Sequence, residues 1–307
     1  MPYKETFLAT QDGHRIPLRQ WLPAEPRSIL VIAHGMAEHS GRYRELAQWL
    51  NTEGVAVYAA DHRGHGPHCT DSERGHFANL DGWERVVADL HEVVGHARTR
   101  LPGLPLALMG HSMGSFIAQA YAQRHGERLD SLMLSATNRI PRSRLGASKL
   151  LVTLIRTVKG RRHLSPLIDR LTFGAFNRAF RPNRTSHDWL SRDAAQVDRY
   201  LADPYCGFAC TTQLWCDFLG GMLTIDPLRW RKDLPVHVMA GTEDPVGEMG
   251  QGVSEHVAVI RAAGIAGRER MFQGGRHELV NEINREEAWQ YILDCQPMAM
   301  RVEALSA

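Results

Sequence analysis

The chain has 307 residues, 43% of them hydrophobic and 23% charged, with a formal net charge of +2. These values describe an ordinary soluble globular protein, long enough for one sizeable core with an insertion. No apolar run approaches membrane-spanning length, and Met1-Pro2-Tyr3-Lys4-Glu5-Thr6-Phe7 lacks the apolar stretch of a secretory signal. The cysteines Cys69, Cys206, Cys210, Cys216 and Cys295 are odd in number and scattered, so reduced thiols in a cytoplasmic protein are expected.

Phe7–Thr10 and Ile16–Trp21 flank Gln11-Asp12-Gly13-His14, and Asp-Gly between alternating runs predicts an opening β-hairpin. Pro17 marks that hairpin as an edge feature. Ser28–Ala33 is a continuous β-branched run, expected of a strand buried on both faces, and it ends in His34-Gly35-Met36. Helical spacing through Leu46, Trp49 and Leu50 stops at Gly54, and the strand Val55–Ala60 runs into Asp61-His62-Arg63-Gly64-His65-Gly66. A helix is predicted over Trp83–Thr99, and then strands over Leu106–Met109 and Leu132–Ser135. From 138 to 226 the alternation fails and the pattern is helical, with Gly and Pro breaks. Strands resume at Val236–Ala240 and Arg270–Phe272, a closing helix is predicted over Glu278–Cys295, and the tail Pro297–Ala307 reads as poorly ordered.

Strands alternating with helices predict an α/β fold with a mostly parallel, doubly wound sheet. The core comprises 1–137 and 227–307, and 138–226 is a helical lid inserted after a core strand. Ligands of such sheets bind beyond the carboxyl ends of the strands, where His34, Asp61 and Ser112 all fall.

The chemistry centres on Gly110-His111-Ser112-Met113-Gly114. An apolar strand before it and a helical pattern after it supply the strand–turn–helix context of a Gly-x-Ser-x-Gly nucleophile elbow. Ser112 then stands in a strained turn, and the N–H of Met113 faces the reacting carbonyl. A serine hydroxyl needs a base, and the base needs an orienting acid. Asp244 follows a strand in Gly241-Thr242-Glu243-Asp244-Pro245 and is preferred to its neighbour Glu243, because Pro245 sets the turn behind it. His277 sits on the glycine-rich loop Gln273-Gly274-Gly275-Arg276, before a helix, where it can turn toward Ser112.

With His34-Gly35-Met36-Ala37-Glu38-His39-Ser40-Gly41-Arg42-Tyr43 and His277-Glu278-Leu279-Val280-Asn281-Glu282, these segments resemble the monoacylglycerol lipase / lysophospholipase branch of α/β hydrolases. The match covers the core in order and the lid only loosely, and Pro67-His68-Cys69 departs from the family's small residue and serine after Gly-His-Gly. The resemblance implies a cofactor-independent serine esterase or lipase, hydrolysing monoacylglycerols or lysophospholipids through Ser112, Asp244 and His277. It also implies that Met36 and Met113 form the oxyanion hole. The competing readings are a small-ester carboxylesterase and a non-catalytic relative that binds a hydrophobic ligand. His34, Gly35, His111, Trp215 and Phe218 are the residues expected against substrate, although the apolar face around Trp215 and Phe218 equally suits helix packing. Glu38, His39, Arg42 and Tyr43 are expected to hold the oxyanion loop by hydrogen bonds.

No metal is expected: His62, His65, His68 and His76 lack carboxylate or cysteine partners at ligand spacing. No phosphate-binding glycine loop or dinucleotide fingerprint is present, and neither a nucleotide cofactor nor a nucleic-acid partner is expected. Residues 139–184 hold twelve Lys or Arg against Asp169 alone, interleaved with Leu150, Leu151, Leu154, Ile155 and Val158. Such a basic amphipathic helix either packs its apolar face on the core or makes peripheral contact with an anionic membrane.

Overall fold

The computed structural model describes residues 3–299, so most of the expected loose tail, from residue 300 onward, lies outside the described residues. The hairpin forms as β1 (Tyr3–Ala9) and β2 (Arg15–Trp21), turning at Gly13 with φ +80°. Next come β3 (Ser28–Ala33), α1 (Arg44–Thr52), β4 (Val55–Ala60), α2 (Gly82–Arg100), β5 (Leu106–His111), α3 (Met113–His125) and β6 (Ser131–Ser135). The connection from β6 to β7 (Val236–Gly241) carries α4 (Arg142–Lys159), α5 (Pro166–Leu171), α6 (Phe173–Asn177), α7 (Ala194–Ala202) and α8 (Thr212–Met222). The core closes with α9 (Gln251–Ala262), β8 (Gly267–Phe272) and α10 (Arg285–Asp294).

The eight strands form one sheet in the order β1-β2-β4-β3-β5-β6-β7-β8. Pairing is antiparallel for β1–β2 and β2–β4, and parallel from β4 to β8. The order reverses at β3, which has β4 on one side and β5 on the other. This is the switch point where the loops after neighbouring strands part and leave a crevice. The His34 loop leaves β3 there and Ser112 follows β5. Because side chains alternate along a strand, Ile29 and Val31 of β3 join one hydrophobic layer with α2 and α3, while Leu30 and Ile32 join the other with α1 and α10.

The hairpin lies at the edge of the sheet, as expected, with β1 outermost, while β2 itself, with Pro17, is paired on both sides. The proline is tolerated because the β4 ladder begins at Leu18, and the Pro17 carbonyl, accepting from Asp61 N–H at 3.0 Å, already faces the side beyond that ladder. The closing helix does not start at Glu278. A single 3-10 turn, Leu279–Asn281, precedes α10, and Glu278 and Glu282 on either side of it turn inward to ion pairs with Arg42 and Arg192.

Candidate active site

Ser112 sits between β5 and α3 at φ +52° and ψ −119°, a region that costs an ordinary residue about 1–3 kcal/mol. The surroundings impose it: Ser112 N–H donates to Ser135 O at 2.9 Å, and Ser115 Oγ donates to Ser112 O at 2.6 Å. The flanking glycines are obligatory. A Cβ on Gly114 would lie 2.1 Å from Ala33 O, and one on Gly110 would lie 2.3 Å from Gly114 O.

His277 and Asp244 arrive from the loops after β8 and β7. Both Asp244 oxygens lie 3.0 Å from His277 Nδ1, so the acid holds the tautomer whose Nε2 is free to accept a proton. Asp244 is fully buried, whereas Glu243, the neighbour considered for the same role, is exposed. Burial disfavours the His277 imidazolium, but the Asp244 charge and hydrogen bond, with Glu278 and Glu38 behind them, more than offset it and raise its pKa.

Met36 and Met113 line one cavity of about 330 Å³ together with Ser112. Met113 opens α3, where an N–H has no intrahelical acceptor, and among the described residues neither Met36 N–H nor Met113 N–H has a protein partner. The Met36 loop is braced from below by Glu38, whose carboxylate accepts from Gly35 N–H at 2.5 Å, Tyr43 Oη at 3.0 Å and Arg42 Nη1 at 2.9 Å. Arg42 also forms a two-pronged ion pair with Glu278, which ties the Met36 loop to the residue after His277. Burial would raise the Glu278 carboxyl pKa, but the guanidinium outweighs it and the net shift is downward. Asp61 accepts from Arg19 and from Ser40 N–H and Oγ, so it anchors the same loop, and it is not among the residues lining the cavity at Ser112.

Trp215 and Phe218 line the cavity, on the face of α8 that looks toward Ser112. His34, Gly35 and His111, expected against substrate, are buried beneath it and are not among its lining residues. His34 donates from Nδ1 to Gly35 O and accepts from His62 N–H at Nε2, a structural use of both ring nitrogens. Burial and the neighbouring histidines keep these rings neutral, with His62 lowered to about 3 and His65 to about 4. His68 and His76 point elsewhere, to Glu5 and to Thr211 with Asn79.

Among the described residues one trio of metal-ligating types converges: His39, Asp203 and Cys206. There Gly41 N–H donates to His39 Nδ1, so Nε2 carries the proton and donates it to Asp203 at 2.9 Å, with no lone pair left for a cation. Trp189 was not marked by any motif, yet it lines the cavity and lies 4.9 Å from the His277 ring.

Compared with known proteins, residues 24–284 match the family described as serine aminopeptidase, S33. A monoacylglycerol lipase of Mycolicibacterium smegmatis is 36% identical over 203 residues, covering 65% of this chain and 64% of that protein. The monoglyceride lipase of Homo sapiens is 30% identical over 214 residues, covering 66% of this chain and 61% of its own length. The matched part of the chain thus spans a little under two thirds of either relative. A solved carboxyl esterase of Bacillus coagulans, in complex with glycerol, superposes with a TM-score of 0.87 at 26% identity, covering 96% of this chain and 97% of that one.

Proposed function

The chain belongs to the serine aminopeptidase (S33) family of α/β hydrolases, and from that premise we propose that it is a carboxylic ester hydrolase acting on monoacylglycerols or lysophospholipids. The observation that carries this reading is the elbow Ser112 on the wall of a cavity whose other lining is mainly Leu, Phe, Trp and Met side chains. Ser112 Oγ attacks the ester carbonyl as His277 Nε2 takes its proton, and His277 then passes that proton to the departing alcohol. Asp244 stabilises the imidazolium meanwhile. The N–H groups of Met36 and Met113 receive the oxyanion, each supplying about 3–4 kcal/mol of transition-state stabilisation. Water activated by His277 releases the fatty acid.

An aminopeptidase needs a free carboxylate for the substrate's ammonium group. The one acid lining the cavity, Glu248, is paired with Arg139 and Arg144, and Glu38 and Glu278 are held by Arg42. A neutral acyl chain suits this lining better. A panel of p-nitrophenyl esters, monoacylglycerols, lysophosphatidylcholine and an aminoacyl anilide tests the reading. A long-chain monoacyl substrate is expected to exceed p-nitrophenyl acetate in kcat/KM by about tenfold or more, and the anilide is expected to be inert. Turnover confined to the acetate identifies a small-ester carboxylesterase. No turnover, with no labelling by a fluorophosphonate, identifies a ligand-binding relative.

We further propose that the insert is a lid and that α4 seats it on anionic lipid. Leu150, Leu154 and Val158 are 61%, 57% and 77% exposed among the basic residues, and the exposed Leu151 and Leu171 also line the cavity. No helix among the described residues is long and apolar enough to cross a membrane, so contact through α4 is peripheral. Changing Arg156, Lys159, Arg161 and Arg162 to Gln is expected to weaken co-sedimentation with anionic vesicles about a thousandfold at low salt, at about 1 kcal/mol per charge. Hydrolysis of a soluble short ester should persist. A parent protein that fails to sediment at low salt ends the membrane reading.

A further inference from the structure

The segment 188–192 belongs to the insert, yet its hydrogen bonds run to the loop that carries His277. His277 N–H donates to Trp189 O at 3.4 Å and Glu278 N–H to Leu190 O at 2.8 Å. Arg276 Nη1 donates to Asp188 O at 2.5 Å, and Ser191 Oγ donates to Asn281 O at 2.9 Å. The buried Glu282 carboxylate accepts from Arg276 N–H and Arg192 N–H, one from each side, and from Arg192 Nε. These bonds fasten this strap to the core.

Its consequence falls on one ring. Asp244 holds His277 at Nδ1 alone, which leaves the tilt of the imidazole about that bond to the rings packed against it. His111 is one of them, with centroids 4.9 Å apart. Burial and the adjacent His277 lower His111 to about 4, so it stays neutral and adds no repulsion. The Trp189 indole also packs against the ring, at 4.9 Å between centroids and 42°, and that indole is itself wedged by Phe173 and Phe176. Attraction between a ring face and a cation operates within about 6 Å. We propose that Trp189 is a positioning residue for His277: its indole fixes the imidazole tilt toward Ser112 and favours the imidazolium formed as the Ser112 proton moves to Nε2. The insert thereby supplies part of the proton-transfer geometry as well as a cavity wall. The proposal rests on His277 being the base.

The test is steady-state hydrolysis of p-nitrophenyl butyrate, whose short chain makes little use of the cavity wall, by the full-length protein. Trp189→Leu is expected to lower kcat about 10–100-fold while KM stays within about twofold, as for a misplaced base. Trp189→Phe, which keeps a ring face, is expected to stay within about threefold of the parent. In a His277→Ala background, Trp189→Leu should change nothing further, because its effect passes through the imidazole. A raised KM at unchanged kcat, or the same loss in both backgrounds, overturns the proposal and leaves Trp189 as cavity lining. Should Trp189→Leu fail to fold, Trp189→Met supplies the ringless comparison at closer volume, judged by the same two criteria. A His277→Ala variant that keeps more than a tenth of parent turnover refutes the base assignment itself, a result distinct from any outcome of the Trp189 series.

Discussion

Ser112→Ala is expected to lose about four to six powers of ten in kcat while the protein stays folded, since removing a triad nucleophile removes the covalent route outright. Folding should survive because the elbow is imposed by its neighbours. Gly110 and Gly114 leave no room for another path, and the Ser112 N–H bond to Ser135 O involves only backbone. Labelling by a fluorophosphonate should vanish together with hydrolysis. The residual rate reflects the oxyanion donors and binding alone, so turnover above a hundredth of the parent's would exclude Ser112 as the nucleophile.

Asp244→Asn should cost about 10⁴ in kcat, by presenting an N–H or an uncharged oxygen where His277 Nδ1 requires a carboxylate. Glu243→Gln, on an exposed side chain, should be close to neutral, and the reverse outcome would move the acid by one residue. The pH profile carries an independent sign. His277 works as a base only when neutral, and its pKa is raised, so kcat/KM falls as pH drops through a value above the usual 6.5. Removing the Asp244 charge takes away the largest influence favouring the imidazolium, so the acid limb of the residual activity should move to lower pH. A limb that stays in place would mean that Asp244 does not act on the titrating group.

Much of this site could be read one residue at a time. β3, β4 and β5 are short and almost entirely apolar, as suits strands buried on both faces. Ser112, Asp244 and His277 each directly follow a strand, or the loop beyond one, and the elbow glycines are demanded by contacts as short as 2.1 Å. These are local requirements, and local requirements leave a periodic mark in the chain.

Partnership across distance leaves no such mark. Arg42 and Glu278 lie 236 positions apart and meet only because the order of strands reverses at β3. Pro17 marked the hairpin as an edge feature, and only the pairing of β2 with β4 decided that β1 is the outermost strand. The helical spacing of α4 was equally consistent with an apolar face turned inward or outward, and packing against α8 decided it by burying Val152 and leaving Leu150, Leu154 and Val158 in solvent. Trp189 carried no motif at all, and its place against His277 follows from a strap of backbone hydrogen bonds that any residues could make. By itself, then, the sequence determined the strand–helix alternation, the turn at Ser112 and the placing of Ser112, Asp244 and His277 just beyond strands, because strand burial and turn sterics act on neighbours in the chain. Which loops share a crevice, which face of α4 meets solvent and which ring covers His277 were decided by tertiary structure, because those contacts join residues that only the closed sheet brings together.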